Sequence, residues 1–458
     1  MLALAGLVVR VVMINGRWGT VDSDEAVVGL MARDMLDGSW RAFYWGQHYG
    51  GTQETALVAL FGASRWALKL VPVGLCAVGS VLTWRVGTRF LPPRAAVAAG
   101  LLTWLGPAAY VWWSTKERGF YGISLVTGLL VVLFAQRVVE RGGRPADWAA
   151  LGAAFGMGWW ASPSVAYFAV PAGLYVLCRR APPLRWFPLG VAVACVAALP
   201  WLWHNVEQGW PSLESPPQPA DRQVSYITGI GRLLWYVVPM ALNLRTPIGA
   251  DWVLATVGAV VYVAIGVALV LRRPPVLLAL WLATFPLLYA AFPGRWWVGE
   301  GRYAFFALPL VGLGLAWIVR RPWPLAALCV VWLGLSLVGL DQIGPERPEH
   351  VDGDLAALRA AGVDHVWADY WSAHRLAFLS DGDLVAASHV TPRDARLGLA
   401  IQADASPAFL YRRDDRRWVE LQAALGDVPT RRVRTPHFEV VLVDGHVDPA
   451  ALPAGLVP

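Results

Sequence analysis

The chain has 458 residues, of which 57% are hydrophobic and 15% charged, with a mean hydropathy of +0.48. That composition excludes an ordinary soluble globular protein and makes a bilayer the solvent for most of the chain. The formal charge of +6 and the pI near 9.3 do not point to nucleic acid, because the basic residues are spread through short turns between apolar runs.

Runs long enough to cross an apolar layer of roughly 30 Å occupy 1–14, 66–89, 95–112, 119–138, 147–161, 164–178, 186–203, 227–243, 252–271, 276–292, 303–319 and 323–340. With 227–243 assigned to the interface, about eleven spans remain. Alternate turns then hold Arg85, Arg89 and Arg94, then Arg137, Arg141 and Arg144, then Arg179, Arg180 and Arg185, then Arg272 and Arg273, then Arg320 and Arg321. Positive charge marks these as cytoplasmic. The loop 15–65, the turns 112–119, 159–164 and 292–302, the segment 204–251 and everything after 340 fall on the extracytoplasmic side of a multi-pass protein of the cell membrane.

The first run is short and carries Arg10, which points to a tilted helix or to a start upstream of Met1. In the loop 15–65, apolar residues at helical spacing over 26–36 predict a helix lying along the membrane surface, preceded by Asp24, which reads either as its N-cap or as a general base. Tryptophan pairs at 112/113, 159/160, 201/203 and 296/297 read as an interfacial aromatic belt. The proline-rich stretch 211–221 reads as an irregular outer loop suited to a lid. Cys76, Cys178, Cys195 and Cys329 all sit in apolar runs and support neither a disulfide framework nor a thiolate metal site.

After Leu340 the pattern changes. The sequence 341–458 alternates predicted helix (355–361, 418–425) and strand (363–368, 384–387, 408–411, 438–443). The expected fold class is therefore an all-α polytopic membrane module, 1–340, with a small α/β extracytoplasmic domain, 341–458.

Chemistry concentrates on the predicted outer side. Asp22-Ser-Asp24-Glu25 places three carboxylates in four residues beside lipid, an arrangement that costs free energy to hold and suits a general base as well as a helix cap. Asp22 and Asp24 also offer oxygen ligands to a divalent cation such as Mg or Mn, although two carboxylates do not fix one. Lys occurs only at Lys69 and Lys116. Lys116 and Arg118 in the second outer turn, with Arg245, Arg295, Arg302 and Tyr303, are candidate phosphate ligands; each singly also reads as a solvated or snorkelling charge. Gln47, Tyr49 and Glu54, set among glycines with His48, suit hydrogen bonding to a sugar or a tight loop. His48 lacks a second ligand at metal spacing.

Several motifs together give a resemblance: Asp24-Glu25 after the first span, Gly29-Leu-Met-Ala-Arg33, Trp45-Gly-Gln47-His-Tyr49-Gly, Trp159-Trp160-Ala-Ser-Pro163, Leu199-Pro-Trp-Leu-Trp-His-Asn205 and Gly301-Arg302-Tyr303. They resemble the GT-C superfamily of membrane glycosyltransferases, near the protein O-mannosyltransferase-like and aminoarabinose-transferase-like members of family 39. The resemblance implies Asp24 as catalytic aspartate in the first outer loop and a polyprenyl-phosphate sugar as donor. It also implies an extracytoplasmic glycan, lipid or protein hydroxyl as acceptor, with inversion at the anomeric carbon. Glu25 is expected to orient the loop or substrate. The competing readings are a transporter or flippase of lipid-linked sugars, which calls for ionisable residues near mid-membrane, and a non-catalytic envelope assembly protein, which calls for tolerance of substitution at Asp24-Glu25.

Overall fold

The computed structural model describes residues 1–178, 184–214, 222–247, 251–296, 298, 302–343, 350–453 and 455–458. Arg179, Arg180, Trp297, Gly301 and most of the proposed lid, 215–221, lie outside the described residues.

Residues 2–341 form helices packed into one bundle, followed by an α/β domain. Among the described residues three helices are long and apolar enough to cross a membrane by length and composition: Arg65–Gly87, Tyr121–Glu140 and Pro322–Asp341. A bent pair, Leu184–Ala197 and Leu199–Gln208, turns by 67° and together passes the same test. Five shorter apolar helices, Leu2–Asn15, Pro163–Cys178, Ala255–Leu271, Val276–Ala291 and Phe305–Val319, have 10–17 residues. The expected spans, about eleven, are not all met by helices of spanning length and hydropathy among the described residues. Backbone breaks explain the difference. The run 95–112 is interrupted after Leu105 at Gly106-Pro107, and 186–203 bends beside Pro200, which offers no N–H to continue the helix. The doubtful run 227–243 is helical but irregular, with a π turn over Leu233–Val237 between Tyr226–Arg232 and Val238–Ala241.

Arg10 does not face lipid. Its Nε donates to Ser114 Oγ at 2.8 Å and its Nη atoms to Gly6 O and Trp104 O, both at 2.9 Å. The guanidinium also lies 3.9 Å from the Trp104 ring centroid. A charge inside apolar packing persists only when its donors are used in this way. The tryptophan belt is only partly interfacial: Trp112 and Trp113 are buried in the bundle core, whereas Trp203 is exposed.

The predicted surface helix runs from Ser23 to Leu36, and its cap is Asp22 rather than Asp24. Asp22 Oδ1 accepts from Glu25 N at 3.1 Å while Glu25 Oε2 accepts from Asp22 N at 3.2 Å, a reciprocal capping box. The shift matters because it leaves Asp24 in the first turn, free of cap duty.

The C-terminal domain is a five-stranded sheet in the order β2-β1-β3-β5-β4, with β1 His365–Ala368, β2 Val385–Ala387, β3 Ala408–Arg412, β4 Thr430–Arg434 and β5 Phe438–Val443. β1 runs parallel to β2 and β3, with Val366 opposite Ala386 and Ala408. β5 runs antiparallel to β3 and β4. Helices Asp352–Ala360 and Tyr370–Leu379 supply Leu355 and Leu376 to one core, and Ala395–Gln402 and Arg417–Leu425 supply Ile401 and Leu421 to the other. The expected strands are present; β4 and the helices over 370–379 and 395–402 are additions.

This domain packs on the surface helix. Phe378 fills the space over Gly29, where an added Cβ would stand 2.3 Å from its ring. Arg33 donates to Phe378 O at 3.0 Å and pairs with Asp381 at 2.7 Å, and Arg396 bonds Asp34.

Candidate active site beneath the C-terminal domain

Two charge clusters flank the start of the surface helix, one buried and one partly open. In the buried cluster Glu25, fully buried, accepts from Lys69 Nζ at 2.6 and 2.8 Å, from Lys116 Nζ at 3.0 Å and from Glu117 N at 3.3 Å. The two lysines of the chain thus meet on one carboxylate. Lys116 also reaches Thr20 O at 2.5 Å and Asp22 at 3.5 Å. Arg118 grips Asp22 bidentately at 2.6 and 2.8 Å. Burial works to raise the Asp22 pKa, and Arg118 and Lys116 more than reverse it, holding it well below the usual carboxylate range.

The second cluster centres on Asp24. Its Oδ2 lies 3.1 Å from Arg302 Nη2 and 3.8 Å from Arg118 Nη1. Oδ1 accepts from Tyr370 Oη at 2.5 Å, and the main-chain carbonyl accepts from Tyr44 Oη at 3.0 Å. The Asp24 side chain is 15% exposed and Arg302 29%, so the pair is partly accessible. Burial raises the Asp24 pKa, but Arg118, Arg302 and the Tyr370 hydrogen bond outweigh it, and the net shift is downward. Asp24 is ionised at neutral pH, the form a base requires.

The expected site residues separate accordingly. Asp22, Asp24, Glu25, Lys116, Arg118 and Arg302 come together. Lys116 and Arg118 are spent on Glu25 and Asp22, at 4% and 6% side-chain exposure, so of these three expected phosphate ligands Arg302, at 29%, is the most exposed. The side chain of Tyr303 lies outside the described residues. Tyr49 is exposed, edge-on to Phe120, and its phenol feels Arg393, Arg302 and Asp24, which sets it near them. Gln47 is part of a turn, its amide accepting no bond at a buried Oε1. Glu54 is buried, accepts from Ile123 N at 2.6 Å and sits against Glu117. Arg245 lies 4.2 Å from the Trp252 ring and Arg295 donates to Val224 O at 2.8 Å, both away from Asp24. His48 Nδ1 meets His204 Nε2 at 3.1 Å. Among the described residues no three His, Cys, Asp or Glu side chains gather as metal ligands. A divalent ion on Asp22 and Asp24 fits poorly, because Arg118 holds both Asp22 oxygens.

Sequence reasoning missed Tyr370, Arg393, Tyr44 and Lys69. The aromatic run Trp367-Ala-Asp-Tyr-Trp371 was the signal for the first, and the rarity of lysine for the last.

Separately, an apolar cavity of about 700 Å³ runs along the helices Pro145–Ala161, Ala166–Cys178 and Phe187–Ala197, from Trp148 and Phe187 at one end to Trp159 and Trp201 at the other. It contains none of the charged residues above. Its Trp159 end adjoins the first loop, where Trp160 Nε1 donates to Ala42 O at 2.8 Å and Gln53 Nε2 to Met157 O at 3.0 Å.

A family model for dolichyl-phosphate-mannose-protein mannosyltransferases matches residues 54–204, a stretch that begins after Asp24. No curated protein matches the chain. Among solved structures, ArnT from Cupriavidus metallidurans bound to undecaprenyl phosphate is 14% identical, with a TM-score of 0.59 over 99% of this chain and 99% of its own. The oligosaccharyltransferase of Archaeoglobus fulgidus, in a complex with Zn and sulfate, is 11% identical over 89% of this chain and 67% of its own, with a TM-score of 0.49. The chain has the fold of the GT-C superfamily of membrane glycosyltransferases. The likeness to ArnT runs through the C-terminal domain as well as the helical module.

Proposed function

We propose that the protein is an inverting glycosyltransferase that moves a sugar from a polyprenyl-phosphate donor to an extracytoplasmic acceptor hydroxyl on a glycan, lipid or protein. The observation that carries this reading is the partly exposed Asp24 carboxylate with the Arg302 guanidinium at 3.1 Å. Asp24 takes the proton of the acceptor hydroxyl as that oxygen forms its bond to the anomeric carbon. The bond from that carbon to the phosphate oxygen breaks, and polyprenyl phosphate leaves with the electron pair. Arg302 stabilises the charge growing on the departing phosphate. Glu25 and its two lysines fix the start of the surface helix and so the position of Asp24. The apolar cavity beside the first loop is lined for a prenyl chain, and the undecaprenyl phosphate in the ArnT structure supports a lipid of that class.

The test is transfer from a panel of radiolabelled polyprenyl-phosphate sugars into an envelope acceptor fraction, with wild type and Asp24→Asn in nanodiscs. The variant is expected to lose about 10²–10⁴-fold in kcat while remaining folded. Near-wild-type transfer by Asp24→Asn would remove Asp24 as the base. Activity is expected to persist in EDTA; strict dependence on added Mg or Mn would restore the divalent ion at Asp22 and Asp24.

A further inference from the structure

The parallel strands β1 and β2 both end facing the surface helix. In α/β sheets, ligands meet the chain beyond the carboxyl ends of parallel strands, where loops leave free side chains. Here β1 ends at Ala368, Asp369 caps the next helix by accepting from Trp371 N at 2.9 Å, and Tyr370 is thrown toward Asp24. The segment after β2 carries Arg393, whose Nη2 donates to Tyr370 Oη at 3.3 Å. Its guanidinium lies 5.1 Å from the Tyr370 ring centroid and 5.4 Å from that of Tyr44.

We infer that the C-terminal domain forms part of the catalytic site and that Tyr370 is a positioning residue for Asp24, its hydroxyl oriented by Arg393. The inference rests on Asp24 as the base. A guanidinium donates and cannot accept, so with Arg393 on the phenol oxygen the Tyr370 proton is directed to Asp24 Oδ1, 2.5 Å away. Arg302 holds Oδ2. With a different donor on each oxygen the carboxylate plane is held against turning. Docking does not need this bond: Phe378 over Gly29, the Arg33–Asp381 pair and Ser23 Oγ on Tyr370 O at 2.7 Å already join the domain to the helix.

The test is Tyr370→Phe in the full-length protein, which keeps the ring and removes one hydroxyl, with Asp381→Asn as a docking control remote from Asp24. The charged and titratable groups facing Asp24 are Asp22 from its own helix start, Arg118 from the 113–120 turn, Arg302, Tyr44, Tyr49 and Tyr121 from the membrane module, and Tyr370, His374 and Arg393 from the domain. A hydrogen bond to the ionised carboxylate favours that form, so its loss moves the acidic limb of the kcat/KM profile to higher pH. Tyr370→Phe is expected to lower kcat by about 10- to 100-fold, leave the donor KM unchanged and shift that limb, while Asp381→Asn behaves as wild type. Wild-type kcat and an unmoved limb in Tyr370→Phe overturn the inference, as do equal losses in both variants, which would reduce Tyr370 to docking. Full activity in Asp24→Asn is a separate failure, that of the base itself. If wild type transfers none of the sugars offered, infrared titration of the carboxylate band that Asp24→Asn removes decides the matter. A higher midpoint in Tyr370→Phe supports the inference and an unchanged one refutes it.

Discussion

Glu25 is the residue whose replacement the structure prices most directly. Its two oxygens receive Lys69 twice, Lys116, Glu117 N and Asp22 N, all within 3.3 Å, and the side chain has no exposure. In Glu25→Gln one oxygen can still accept, but the amide NH2 must face an ammonium, donor against donor. Asp22, at 3.5 Å from Lys116 and already gripped by Arg118, then remains the nearest counter-charge. Removing one partner of a buried ion pair costs about 3–5 kcal/mol, while the glutamine oxygen can still accept from Asp22 N in the capping box. Denaturant or thermal unfolding in nanodiscs is therefore expected to show Glu25→Gln less stable by about 3–5 kcal/mol. The double variant Glu25→Gln with Lys69→Met should recover part of this, since one unpaired ammonium is removed. A loss under about 1 kcal/mol, the range of exposed pairs, would refute the assignment of this cluster as a buried anchor.

Glu54 and Glu117 form a second buried acidic pair. Burial raises both pKa values, and the charge of each neighbour raises Glu117 further, well above the ordinary 4.5. The folded protein then keeps a proton that the unfolded chain releases, so stability is lost as pH rises from the ordinary carboxyl range through the folded pKa. Glu117→Gln should flatten that fall; unfolding midpoints of the two proteins from about pH 5 to 8 check it, and parallel curves would contradict it. Gly156 lies so close to the neighbouring helix that an added Cβ would stand 2.2 Å from Ala194 O. Gly156→Leu must force Pro145–Ala161 and Phe187–Ala197 apart, and a destabilisation of at least about 1–3 kcal/mol is expected as lost folded yield in size-exclusion profiles. The transferase test on Asp24→Asn and the pH profile of Tyr370→Phe complete the set.

How much of this was legible in the sequence depends on how far apart the partners lie along the chain. Asp22-Ser-Asp24-Glu25 contains the spacing of a capping box, and its carboxylates stood out because they cost free energy beside lipid. The cap falls on Asp22 and not on Asp24, a difference of two residues with a chemical consequence, since a capping Asp24 would have its oxygens occupied by backbone N–H groups. The spans were legible as apolar runs but not as unbroken helices, because proline and glycine set their breaks. Strand β4 was hidden by its sequence Thr430–Arg434, three arginines on an edge strand, which is how edges are kept from pairing further. Tyr370 lies 346 residues from Asp24, and no periodicity links them; the docking of Phe378 on Gly29 brings Tyr370, beyond the end of β1, to the carboxylate. A base that takes its hydrogen-bond partners from both domains works only when they are docked, so substitutions that weaken the Gly29–Phe378 contact, such as Gly29→Val, should lower transfer without touching any residue at the reacting atoms.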